Sequence, residues 1–347
     1  MSNTDGRPPL VDEGALKDYL DAHFGSPAEL SVRRHQAGHS NETFFVRYGD
    51  GDYVLRRPPR GAFLPTAHDV GREYRVLHAL GSTGVRSPRT VLACDDESVI
   101  GAPFYVMERV DGIVIRTELP DSFDGSSRGA LGDELVDALV ELHEVDVDAA
   151  GLGDFGRRDG YLERQLKRWS GQLELTLPLT RPVPELEQLG DWLHSHRPES
   201  PQATLVHGDY KLDNVMFAPG APTRLVTILD WEMSTLGDPL ADLGWMASSW
   251  LEPGEGDDDD VLAALNQVTR LPGFRSRAEL ISRYEDATGR NVDALEWYIA
   301  LATWKLAILL EGSYARHLAG MTDDPFFARM ELGVPALARR GLETAHS

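Results

Sequence analysis

The sequence predicts an α+β chain of two lobes, a small amino-terminal lobe built on an antiparallel sheet with one helix and a larger, mainly helical lobe. Three observations predict it. Short apolar runs punctuated by Gly and Pro fill the first 107 residues, and helical periodicity dominates the remainder. The 347 residues are also enough for two hydrophobic cores, at about 100–200 residues per domain.

Each element has its own signal. Leu16, Tyr19, Leu20 and Phe24 have the spacing of a short helix within residues 11–30. Residues 44–48 and 53–56 flank the turn Gly49-Asp50-Gly51-Asp52 and read as a hairpin, which Pro58-Pro59 ends. Val70, Tyr74, Leu77 and Leu80 place a helix over 67–80, and Gly81, Gly84 and Pro88 punctuate the loop behind it. Strands at 90–93 and 104–107 complete the small sheet, and Gly112 breaks the chain. The boundaries are therefore 1–107 for the first lobe, 108–112 for a hinge and 113–347 for the second lobe. There, helices are expected at 129–144, 161–175, 185–196, 259–269, 277–287 and 292–319. Strands at 215–217 and 225–229 interrupt them around a Pro/Gly turn. The acidic run Asp257-Asp258-Asp259-Asp260 reads as a loop tip or a helix start, where carboxylates complement the helix dipole.

Composition excludes several function classes. Lys and Arg number 34 against 56 Asp and Glu, for a net charge of −22. Nucleic acids and anionic membrane surfaces are bound through clustered positive charge, so neither is an expected partner. The charge is uneven: residues 1–107 carry 12 basic and 14 acidic groups, whereas 108–347 carry 22 and 42. The second lobe thus has either a solvated acidic surface or a preference for a cationic substrate. Cys94 is the only cysteine, which excludes an intrachain disulfide and a thiolate zinc cage. No signal-peptide core opens the chain, and the apolar stretch 298–310 is interrupted by Lys305 and too short to span a bilayer. A cytoplasmic protein is expected. His-Glu-x-x-His and Gly-x-Ser-x-Gly motifs are absent, so neither a zincin nor a serine hydrolase has support.

The stretch His207-Gly208-Asp209-Tyr210-Lys211-Leu212-Asp213-Asn214, followed by Asp230-Trp231-Glu232, carries the chemistry. Phosphoryl transfer needs a carboxylate at the attacking hydroxyl, oxygen ligands for Mg²⁺ and positive charge on the moving phosphate. Asp209 and Asn214 have the Asp-x-x-x-x-Asn spacing of a kinase catalytic loop. Lys211 sits where its ammonium meets the γ-phosphate, and Asp230 adds a second hard oxygen ligand.

This block, with Gly237-Asp238-Pro239 and Asp242-Leu243, resembles the aminoglycoside phosphotransferase family. The spelling of residues 230–243 is most similar to the kinase-like domain linked to some acyl-CoA dehydrogenases. The resemblance covers roughly residues 30–320 and implies a bilobal, protein-kinase-like fold. It assigns Asp209 as the catalytic base and Asn214 and Asp230 as Mg²⁺ ligands. His207 becomes an orienting residue, and Asp242 a structural anchor of the loop. In the first lobe it places Ser40 and Asn41 in a phosphate-covering loop with Gly38 as its single glycine. Arg56 takes the position of the kinase lysine with Glu73 as its ion-pair partner, and backbone groups near Glu108 and Val110 meet adenine. Residues 161–169 and 304–316 resemble helices that line the acceptor pocket in the dehydrogenase-linked group.

The expected activity is an ATP- and Mg²⁺-dependent transfer of the γ-phosphate to a small-molecule hydroxyl. The resemblance favours a hydroxyacyl acceptor or its CoA thioester, while the acidic second lobe favours an aminoglycoside. A non-catalytic nucleotide-binding protein on a kinase fold is the alternative from another class.

Overall fold

The computed structural model describes residues 9–35, 41–60, 69–123, 125, 127–256, 261–322 and 324–347. They form two compact units, one of residues 1–111 with Leu229–Glu232 and one of Gly112–Ile228 with Met233–Ser347. Boundaries read from the sequence alone put every residue past 112 in the second lobe, so the return of Leu229–Glu232 to the first unit is a structural addition.

The first unit contains α1 (Glu13–Phe24), β1 (Leu30–His35), β2 (Glu42–Tyr48), β3 (Gly51–Arg57), α2 (Val70–Leu80), β4 (Thr90–Cys94), α3 (Glu97–Ile100) and β5 (Phe104–Glu108). Its strands form an antiparallel sheet in the order β1-β2-β3-β5-β4. Gly49, at φ 56°, supplies the positive φ that the two-residue turn joining Tyr48 to Gly51 requires. Strand periodicity then sorts β3. Leu55 points into a core with Leu16, Leu20, Phe44, Val46 and Val106. Arg56 therefore points to the opposite sheet face, where α2 packs on β4 and β5. Asp69 caps α2 by accepting from the Arg72 N–H at 2.9 Å, which is why that helix begins at Val70. Strand β1 has no counterpart among the expected elements. It lies at the sheet edge with Arg33 and Arg34 exposed, so its sequence lacks the strict alternation of a half-buried strand.

The second unit contains α4 (Arg128–His143), α5 (Tyr161–Thr176), α6 (Pro184–Ser195), β6 (Thr204–Val206), β7 (Val215–Phe217), β8 (Leu225–Ile228), β9 (Thr235–Gly237), α7 (Pro239–Ser249), α8 (Val261–Leu265), α9 (Arg277–Thr288), α10 (Leu295–Leu318) and α11 (Met330–Ala345). Two antiparallel pairs, β6–β9 and β7–β8, hold the loops described below. Helix α10 is apolar on nearly every face, as a central helix must be, and packs against α5, α6, α7 and α11. Buried Trp297 and Trp304 fix it on α6 by donating to the carbonyls of Leu193 (3.1 Å) and Leu186 (2.9 Å). The helix expected at 259–269 is shorter, covering Val261–Leu265 and then a 3₁₀ turn, and the Asp257-to-Asp260 run lies outside the described residues. Among the described residues, no helix is long and apolar enough to cross a membrane.

Candidate active site

The loop between β6 and β7 is built by alternating anchors with presented groups. His207 and Tyr210 are fully buried, and the Tyr210 hydroxyl donates to the Leu135 carbonyl at 2.7 Å. Asp209 and Lys211, between and after them, remain partly accessible. Gly208 turns the chain at φ 88°, and a Cβ there would lie 2.7 Å from the Met233 carbonyl oxygen. Gly208→Ala is therefore expected to lower stability by about 2 kcal/mol or more, read as a shift of the urea midpoint.

Asn214 closes the loop on Asp209. Its Nδ2 donates to the Asp209 carbonyl at 2.8 Å and to Asp209 Oδ2 at 2.7 Å. Both partners only accept, so the amide nitrogen must face them, and Asn214 Oδ1 is the atom left for another ligand. Lys211 Nζ lies 3.8 Å from Asp209 Oδ1 and 3.4 Å from Asp213 Oδ2. The Asp209 N–H donates to His207 Nδ1 at 3.3 Å, which fits an orienting ring.

Asp242, in the first turn of α7, holds the same loop from beneath. Its carboxylate accepts from the His207 N–H at 2.6 Å and the Gly208 N–H at 2.8 Å. Asp238 caps α7 ahead of Pro239 and also accepts from the Tyr298 hydroxyl at 2.7 Å, so Gly237-Asp238-Pro239 is a helix-start motif that ties α7 to α10. Behind Asp242 stands His143, whose Nε2 donates to Asp242 Oδ2 at 3.3 Å and whose Nδ1 accepts from Tyr284 at 2.8 Å. Burial lowers the His143 pKa, against the upward pull of the Asp242 carboxylate. Burial pushes Asp242 upward, but the hydrogen bonds and the imidazole groups of His143 and His207 together outweigh it and hold the carboxyl below the usual range.

In the first unit, Arg56 Nη1 meets Glu73 Oε1 at 2.8 Å, with the Glu73 side chain only 1% exposed. Burial pushes the Glu73 carboxyl above its ordinary value despite the opposing guanidinium. For Arg56 burial acts downward, and the interactions with Glu73, Tyr105, Asp230 and Glu232 together more than offset it. Asn41 Nδ2 donates to Glu73 Oε2 at 3.4 Å, and Arg56 Nη2 lies 3.8 Å from Asp230 Oδ1. Asp230 is the one described non-glycine residue with positive φ, 62°, a conformation that Asp tolerates better than most residues. Asn41 Oδ1, Arg56 Nε and Asp230 Oδ1 are buried without a hydrogen-bond partner among the described residues, as expected of a polar site that engages a ligand. The Glu108 side chain is exposed, its N–H donates to the Arg89 carbonyl at 2.8 Å, and Val110 makes no backbone hydrogen bond to a described residue. Ser40 lies outside the described residues.

Sequence reasoning missed His143 and Tyr284, the supports of Asp242. The periodicity of α4 and α9 placed both on helices but carried no sign that they meet.

A five-stranded antiparallel sheet with a buried Arg–Glu pair, and a loop that binds an Asn amide to an Asp carboxylate, define a kinase-like phosphotransferase. The chain belongs to the phosphotransferase enzyme family, whose sequence pattern matches residues 31–280. It is 36% identical over 345 residues to acyl-CoA dehydrogenase family member 11 of Rattus norvegicus, covering 96% of this chain and 43% of that protein. A crystal structure from Ralstonia eutropha, provisionally assigned as an aminoglycoside phosphotransferase, is 35% identical with a TM-score of 0.81, covering 96% of this chain and 98% of the other. Spectinomycin phosphotransferase, solved with ADP and spectinomycin, shares the fold at 13% identity with a TM-score of 0.60, over 96% of this chain and 100% of that one.

Proposed function

We propose that this phosphotransferase moves the γ-phosphoryl group of ATP to a hydroxyl of a small acyl compound. The observation that carries the reading is the locked pair of Asp209 and Asn214. With Oδ2 held by Asn214, Asp209 Oδ1 is the atom that accepts the acceptor's hydroxyl proton as the oxygen attacks phosphorus. Lys211 sets positive charge beside that carboxylate, where the phosphoryl group arrives. Arg56, held by Glu73, binds nucleotide phosphate, aided by Asn41 and Ser40, and backbone groups at Glu108 and Val110 take the base.

The donor set fits Mg²⁺. Asn214 Oδ1 and Asp230 Oδ1, the latter without a hydrogen-bond partner among the described residues, are hard oxygens of the kind Mg²⁺ takes. Such a sparse set suits an ion that keeps waters and phosphate oxygens in its shell. Asn214 and Asp230 would hold the ion, which would neutralise phosphate charge and orient the nucleotide.

ATP use is supported by the ADP bound in spectinomycin phosphotransferase. A hydroxyacyl acceptor, free or as its CoA thioester, is supported by the rat relative's acyl-CoA name. An aminoglycoside is the second reading, favoured by the excess of acidic residues past position 107. Initial rates of ADP release against hydroxyacyl-CoAs, hydroxy acids and aminoglycosides separate the two. Turnover of aminoglycosides alone would overturn the acyl reading.

Arg56→Lys keeps the charge and loses the fork that grips carboxylate and phosphate together. It is expected to raise the KM for ATP on the order of tenfold, the effect of one lost charge-assisted hydrogen bond, without altering the KM of the acceptor.

A further inference from the structure

In a chain with 22 more acidic than basic groups, a buried cation without a carboxylate partner is unexpected. Lys305, on α10, is one: it is 6% exposed, and no ion pair or hydrogen bond joins it to a described residue. Its Nζ instead sits 4.6 Å from the ring centroid of Trp245 and 5.7 Å from that of Trp169. Next to it, Arg168 stacks on the Trp169 ring at 5.3 Å and likewise has no acidic partner among the described residues. The indole N–H of Trp245, a residue 8% exposed, is buried without an acceptor. The cluster thus presents two donors, the Lys305 ammonium and the buried Trp245 N–H, that no oxygen of a described residue accepts.

A structural role does not account for this arrangement. Cation–π contact alone does not offset the cost of holding an ammonium on a largely buried side chain with no counter-charge paired to it, and an apolar side chain of the same length would fill the position at lower cost. Burial lowers the Lys305 pKa to about 8, against the upward pull of Asp209 and Asp242, so the ammonium is predominantly charged at neutral pH. That pull also puts Lys305 in the field of Asp209, the proposed base.

We infer that Lys305 and the Trp245 indole N–H form the acceptor-recognition site, binding the carboxylate or thioester carbonyl oxygen of the acyl compound whose hydroxyl Asp209 activates. The inference rests on the kinase reading for the word acceptor. It adds a specificity determinant that favours an acyl oxygen and repels the ammonium groups of an aminoglycoside.

Lys305→Met and Trp245→Phe each remove a donor and keep the apolar body, and Lys305→Arg keeps the charge. Calorimetric titration and steady-state kinetics with 3-hydroxybutyrate and 3-hydroxybutyryl-CoA read the effect, and kanamycin is the cationic control. Lys305→Met is expected to weaken acceptor Kd and KM at least tenfold, with the KM for ATP within twofold and no fall in Tm. Trp245→Phe should weaken both severalfold, and Lys305→Arg should recover part of the loss. Loss confined to the free acid identifies a carboxylate ligand, and loss of both compounds a carbonyl oxygen common to them; either supports the site. Unchanged acceptor binding in Lys305→Met, a fall in Tm with parallel loss of ATP and acceptor, or binding of kanamycin but neither acyl compound would overturn it. Lys305-dependent binding without phosphoryl transfer would leave this site standing and remove the kinase reading instead.

Discussion

Asp209→Ala is expected to lower kcat by about 10²–10⁴-fold, the range of a lost general base, while ATP binds as before. The separation follows from where the groups lie. Asp209 belongs to the β6–β7 loop of the second unit, and the Arg56–Glu73 pair proposed for the phosphates belongs to the first. Asn214 also loses a carboxylate partner but keeps the Asp209 backbone carbonyl at 2.8 Å, so the loop stays closed. The check is a single-turnover assay beside calorimetric titration of Mg²⁺-ATP. Full turnover in the variant would remove Asp209 from the chemistry.

Asp242→Ala should unfold the site rather than disarm it. The carboxylate satisfies two buried N–H groups, of His207 and Gly208, and orients His143, all within a fully buried cluster. Removing it strands those donors, which is expected to cost about 3–5 kcal/mol of stability and to abolish turnover with it. Chemical denaturation reads the loss; a stability change below about 1 kcal/mol would contradict the anchoring role. The pH dependence carries the same signature. Because the folded carboxyl titrates below its ordinary value, its contribution is complete above the unfolded-state value of about 4 and is lost as pH falls through the lower folded value. Wild type should therefore lose stability more steeply than Asp242→Ala only below pH of about 4.

What the sequence revealed depended on how local each signal is. The Asp209–Asn214 geometry was legible because the two residues lie only five positions apart, within one loop. The support beneath it was not. His143 finds Asp242 across 99 residues and Tyr284 across 141, and nothing in the periodicity of α4 encodes either meeting. Helix α7 left a readable start at Asp238-Pro239, but its near-continuous burial hides the helical alternation. Helix α11 escaped notice because Pro335 lies inside it and Gly333 and Gly341 dilute its apolar stripe. Lys305 read as an interruption in an apolar run and as part of a helix resembling an acceptor-pocket lining, but its meeting with Trp169 and Trp245, more than 130 and 60 residues away, was not legible.

The most direct test of phosphoryl transfer is ³¹P NMR of wild type with Mg²⁺-ATP and a hydroxyacyl-CoA. The account predicts a new phosphomonoester resonance that grows in step with ADP. Binding of Mg²⁺-ATP with no phosphoester formed on hydroxyacyl-CoAs, hydroxy acids or aminoglycosides would contradict it.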